Sequence, residues 1–160
     1  MAKLRIRVFP DPDLRVKASK LKSVSPADRE LLSDMALTMY LNQGVGLAAT
    51  QVGVFKSLVV IDIGDGLIKL VNPEVIKKHG TVASEEGCLS VPGECIKIKR
   101  SKIVEVGFLN ENGEPSLIKG EGLLAKALQH ELDHLSGKLI IDYLNPIKKL
   151  LTRAKSRRRV

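Results

Sequence analysis

Apolar residues along this chain fall into short periodic runs separated by glycine, proline and asparagine. Residues 1–8, Met-Ala-Lys-Leu-Arg-Ile-Arg-Val, alternate basic and apolar side chains and predict a strand. Pro10, Pro12 and Asp13 mark a turn. Ser25-Pro26 reads as a helix N-cap with proline at the first helical position. Leu31, Leu32, Met35, Leu37, Met39 and Leu41 carry that helix to about Asn42, and Gly44 stops it. Residues 44–53, Gly-Val-Gly-Leu-Ala-Ala-Thr-Gln-Val-Gly, predict a small-residue loop whose backbone can lie close against a ligand. Ser57 to Ile63 predicts a buried strand, turned at Gly64-Asp65-Gly66 and answered by Leu67 to Val71. His79 falls among lysines, in a polar loop, and reads as exposed.

Further along, Ile96 and Ile98 point one way while Cys95, Lys97 and Lys99 point the other. Arg100 falls on the isoleucine side, where a half-buried cation requires a carboxylate partner. Ile103 to Leu109 continues as strand, Asn112-Gly113 signals a hairpin, and Ser116 to Lys119 returns. The run from Leu123 to Gly137 predicts a helix. Lys126, Gln129, Asp133 and Ser136 form a polar stripe on it that reads as facing water. Leu124, Leu128, Leu132 and Leu135 lie on the opposite arc, with Glu131 in their midst. A carboxylate directed into such a face is costly unless it is paired, protonated or employed.

Within that helix stands His130-Glu131-Leu132-Asp133-His134. Its two imidazoles project from one side, roughly 40° apart around the axis, and can hold one metal ion. The intervening Glu131 can then act as a base on water at that ion. Zinc peptidases with this motif draw a third ligand from downstream, as a glutamate or as a histidine six residues on. Here the sixth position is Ile140 and the only later carboxylate is Asp142. The third ligand must come from upstream, where Cys88, Cys95 and His79 are the candidates. A phosphate-binding role for residues 44–53 is excluded, since no Lys-Ser or Lys-Thr follows the glycines.

A chain of 160 residues suits one domain with a real core, and mean hydropathy near zero is that of a soluble protein. The N-terminus lacks the apolar core of a signal peptide and no run approaches a membrane span, so the cytoplasm is the expected location. The net charge of +8 is concentrated at the C-terminus, where Lys148, Lys149, Arg153, Lys155, Arg157, Arg158 and Arg159 follow one another without an acid. Such a block is a solvated end or a contact for a polyanion such as RNA. With 3% aromatic residues and no tryptophan, contact would be with backbone phosphates rather than stacked bases. The expected architecture is α+β, with short antiparallel strands packed around a central metal-binding helix. Residues 1–145 would form a single catalytic domain and residues 146–160 a basic helical tail.

Three segments together resemble the peptide deformylase family: Gly44-Val45-Gly46-Leu47-Ala48-Ala49-Thr50-Gln51, Glu86-Gly87-Cys88-Leu89-Ser90 and His130-Glu131-Leu132-Asp133-His134. They occur in that family's order, and the resemblance covers essentially the whole chain. It implies one ion per chain held by Cys88, His130 and His134, natively Fe(II), with Zn, Ni or Co able to take its place. It implies catalytic roles for Glu131 as proton carrier and for Gln51 and the backbone N–H of Leu89 as oxyanion donors. Val45 and Gly46 would line the substrate, and Glu86 with Arg100 would form a supporting ion pair. The implied reaction removes the formyl group from N-formylmethionyl nascent polypeptides and releases formate, in a bacterial-type cytoplasm. The competing readings are a metallopeptidase and a basic ribosome-associated protein with a structural metal. On the first reading the basic tail is a candidate ribosome contact. Some members of the family carry an arginine near the position of Cys95, at the mouth of the site, and cysteine there removes a contact with the peptide.

Overall fold

Ser25 and Asp28 begin the first helix by serving each other's backbone. Asp28 N–H donates to Ser25 Oγ at 3.2 Å, and Ser25 N–H donates to Asp28 Oδ2 at 2.9 Å. In the computed structural model, which describes residues 1–159 and leaves out the side chain of Arg159, this helix is α1, Pro26–Leu41. Val160, the last residue of the basic tail, lies outside the described residues. The strands are β1 (Gly46–Ala48), β2 (Leu58–Ile61), β3 (Ile68–His79), β4 (Val82–Cys88), β5 (Val91–Arg100), β6 (Ile103–Leu109) and β7 (Pro115–Glu121). Helix α2 spans Gly122–Leu135 and α3 spans Pro146–Arg159.

The fold is α+β. Five antiparallel strands form a sheet in the order β1-β2-β3-β6-β7, and β4-β5 form a separate hairpin. Strand β2 explains how the sheet is clothed. Its four residues are all buried, and successive side chains leave opposite faces. Val59 and Ile61 join Leu70, Val104 and Val106 against Ala125 and Leu128 of α2. Leu58 and Val60 join Leu47 and Val71 against Leu32, Met35 and Met39 of α1. A third cluster seats the hairpin: Val91, Ile96 and Ile98 pack on Leu139, Ile140 and Ile141 beyond α2. The hairpin is thereby pressed to the side of α2, which positions the site.

Several local expectations are corrected. Residues 1–8 form no strand, because their N–H groups go to scattered acceptors rather than to one ladder. Leu4 donates to Thr38 Oγ1, Arg7 to the Gln51 carbonyl and Phe9 to the Ser90 carbonyl. The segment is a strap, with Leu4 and Ile6 packed on the α1 cluster. Residues 44–53 are not all loop. They hold β1, which pairs with β2, and a 3-10 turn at Ala49–Val52. The return strand does not stop at Val71 and runs on to His79. It continues because Asn72, at φ 51°, clasps Leu21 with both ends of its amide while Pro73 sits at a register shift that needs no donor.

The basic tail is helical and tied down. Asn145 Oδ1 accepts from Lys148 N–H, Lys149 pairs with Asp142 at 3.1 Å, and Thr152 is buried. Among the described residues no helix is long and apolar enough to cross a membrane.

Candidate metal centre

Two elements bring the donors together. Helix spacing puts His130 and His134 on one side of α2, with Nε2 atoms 3.2 Å apart. Strand β4 brings the Cys88 sulfur to 3.3 Å from His134 Nε2. One donor atom from each residue lies within 4.8 Å of the others. Cys95 is exposed in a groove beside Lys148 and Thr152 of α3, and His79 is exposed at the end of β3. Of the three upstream candidates, only Cys88 meets the histidines. Cys95 is an exposed residue of β5 that lines the groove beside α3, while its neighbours Gly93 and Glu94 line the site cavity.

The donor set fits a metal ion. With metal–nitrogen bonds of about 2.0–2.1 Å, two tetrahedral imidazole ligands lie about 3.3 Å apart. The 3.2 Å between the Nε2 atoms of His130 and His134 matches that edge. Burial holds the His134 imidazole well below its ordinary pKa, which leaves it a neutral donor. A thiolate with two imidazoles is a donor set for Fe(II) or Zn(II).

Behind His130 the polar groups are closely paired. His130 Nδ1 lies 2.9 Å from Glu86 Oε1, and Arg100 holds both oxygens of Glu86 at 2.7 and 2.8 Å. Burial alone would raise the Glu86 pKa, but bonds to Arg100 and then to His130 bring it down to about 2. Arg100 Nη1 continues to Asp133 Oδ2 at 2.7 Å and to Tyr143 Oη at 3.0 Å. The stripe expected to face water is therefore largely covered. Gln129 bonds both the N–H and the carbonyl of Ser101, Asp133 holds Arg100, and Lys126 lines the site cavity; Ser136 is the exposed member. Helical periodicity separates polar from apolar sides, but the β5 end and the turn at Tyr143 decide what meets the polar one.

Glu131 occupies the other flank. It is 4% exposed, its Oε2 has no partner among the described residues, and burial pushes its pKa up to about 7. Its Oε1 occupies the space that a side chain at position 46 would need. Gln51 is fixed by accepting Ala48 N–H at Oε1, 2.9 Å, which turns Nε2 toward Ser90 Oγ at 3.1 Å and Cys88 Sγ at 3.8 Å. A cavity of about 490 Å³ opens on these groups, lined by Val45, Gly46, Leu89 and Leu123 among others. Asp133 and Tyr143 are the partners that the sequence reading passed over. The signal was Arg100 itself, a guanidinium with five donors that a single carboxylate cannot satisfy.

Known proteins resemble this chain along almost its whole length. The model of the polypeptide deformylase family matches residues 3–150. The peptide deformylase of Pseudoalteromonas translucida is 48% identical over 97% of this chain and 95% of its own length. That of Thermoanaerobacter pseudethanolicus is 49% identical over 89% of each. Among solved structures, a peptide deformylase from Legionella pneumophila superposes with a TM-score of 0.93 at 44% identity, over 98% of this chain and 95% of that one. The Ehrlichia chaffeensis enzyme in complex with actinonin gives 0.97 at 36% identity, over 99% and 98%. A triad of sulfur and two imidazoles beside a buried carboxylate, in a chain matched almost from end to end, leads to one conclusion: this protein belongs to the polypeptide deformylase family.

Proposed function

We infer that this protein is a metal-dependent hydrolase that removes the formyl group from the N-terminus of N-formylmethionyl nascent polypeptides and releases formate. The observation that carries the reading is Cys88, His130 and His134 converging beside a buried Glu131, whose Oε2 has no partner among the described residues, at the wall of an open cavity. The thiolate and imidazoles would hold one ion per chain, natively Fe(II), with Zn, Ni or Co able to replace it. When bound, the ion supplies Lewis acidity toward the attacking water and the formyl oxygen. A structural metal would require four protein ligands, and this group has three.

The residues around the ion divide the remaining tasks. Glu131 takes a proton from the water and returns it to the leaving amine, its buried carboxyl standing at the cavity wall beside the triad. Gln51 Nε2 and the backbone N–H of Leu89 donate to the oxygen on which negative charge develops. Val45 and Gly46 flank the peptide at the cavity edge. Glu86, held by Arg100, orients His130.

We assign residues 1–145 as the catalytic unit, acting in a bacterial-type cytoplasm, and residues 146–160 as a basic tail that meets ribosomal phosphates. Lys148, Arg153, Lys155, Arg157 and Arg158 are exposed on α3, which supports that assignment. Deleting residues 146–160 should abolish salt-sensitive ribosome binding, and undiminished binding would refute the contact. The central reading is tested anaerobically, by metal analysis with formate release from a formyl-Met peptide. One ion per chain and no hydrolysis of the unformylated peptide are expected. Cleavage of internal bonds, or no formate at all, would overturn it.

A further inference from the structure

The ion pair of Glu86 with Arg100 is the middle of a longer chain. Arg100 closes β5, 5% exposed, and spends Nε and Nη2 on Glu86. Nη1 goes to Asp133 Oδ2 and Tyr143 Oη, and Tyr143 Oη donates to Asp133 Oδ2 at 2.7 Å. At the opposite end Glu86 Oε1 meets His130 Nδ1. A continuous run of charge-assisted bonds thus passes from Tyr143 through Asp133, Arg100 and Glu86 to one ring of the triad. The other ring has no such support, since His134 Nδ1 has no partner among the described residues.

We propose that Asp133 and Tyr143 are positioning residues for the metal, acting on His130 through Arg100 and Glu86. The argument is geometric and electrostatic. Glu86 Oε1 serves two donors at once, Arg100 Nη2 and His130 Nδ1, so its plane must be held by something other than the histidine. Arg100 holds it, and Arg100 is itself anchored at the far edge by Asp133 and Tyr143. Charge matters as well. Arg100 alone would cancel Glu86, whereas a second carboxylate at 2.7 Å leaves the group net negative toward the imidazole. A carboxylate that keeps its negative character is the stronger acceptor for Nδ1–H and makes Nε2 the better ligand. Tyr143 fixes the Asp133 oxygen that Arg100 uses, and Lys138 lies 4.0 Å from the centre of its ring.

This inference rests on the metal reading of the site, and the test separates the two. Zinc affinity of the full-length protein is measured by chelator competition for the parent, Asp133→Asn and Tyr143→Phe. Asp28→Asn, at the distant start of α1, serves as a destabilised control. Loss of an outer partner to a ligand commonly weakens metal binding by about 10–100-fold. We expect about tenfold weaker binding for Asp133→Asn and about threefold for Tyr143→Phe. The control should lower the melting temperature with zinc affinity unchanged. In the zinc-loaded protein the His130 Nδ1–H resonance should shift in both chain variants and not in the control. If both variants bind zinc within a factor of two of the parent and merely melt earlier, the chain is structural and the proposal fails. A parent that takes up no zinc overturns the metal reading itself.

Discussion

A Cβ added to Gly46 would stand 2.5 Å from Glu131 Oε1 and 2.9 Å from its carboxyl carbon. The start of β1 and the buried carboxylate are therefore in direct contact, and the glycine is there for space. Alanine at 46 should push Glu131 out of place while leaving the triad intact. We expect formate release to fall by about a hundredfold or more, the lower range for loss of a positioned acid–base, with metal content near one per chain. Normal turnover in Gly46→Ala would show that the carboxylate tolerates displacement and is not the proton carrier.

Removing the carboxylate itself should cost more. Glu131→Ala is expected to keep its metal and to lose about 10²–10⁴-fold in kcat, the usual contribution of a positioned acid–base group. Single-turnover formate release is the measurement, and near-parental turnover would exclude the role.

The two cysteines should behave oppositely. Cys88→Ser replaces a thiolate with a neutral hydroxyl 3.3 Å from His134 Nε2 and should abolish stoichiometric metal binding. Cys95→Ser changes an exposed side chain in the groove beside α3 and should leave both metal and activity unaltered. Metal analysis of the two purified variants decides the matter, and the reverse pattern would reassign the ligand.

Acid should unfold the protein in part through Asp28 and Asp142. Burial opposes ionisation of Asp28, but Lys56 and Ser25 overcome it and hold the pKa at about 2. Asp142 is brought to about 2 against burial by Arg15, the Leu139 N–H and Lys149. Both lie below the ordinary value of 3.8, so both stabilise the fold above that pH. The contribution, roughly 1–2 kcal/mol each, fades as pH falls from about 4 toward 2. Urea unfolding followed against pH should show this decline, and Asp28→Asn should flatten it. An unchanged slope in that variant would remove Asp28 from the account.

What could be read from the chain depended on how far each signal reached. Ser25 and Asp28 are three residues apart, so their capping follows from local chemistry alone. The same holds for His130 with His134, and for the alternation that buries Ile96, Ile98 and Arg100 together. The polar stripe failed because its meaning depended on Ser101, Arg100 and Tyr143, which arrive from elsewhere in the fold. Residues 1–8 alternate like a strand but find no neighbouring strand to pair with. Cys88 and Cys95 are nearly indistinguishable by spacing, seven residues apart across a turn. Strand register is what sends one inward and the other to solvent.

Glu86 and Cys88 ride on a single strand with one glycine between them, and β4 is held to β5 in one register with an irregularity just at that point. A slip of one residue would swing the sulfur and the carboxylate to the outer side together. Until the hairpin closes in its proper frame, a growing or damaged chain offers an ion only the two nitrogens of α2. On the proposed metal reading, full-strength capture of the ion would thereby be reserved for molecules that have finished folding.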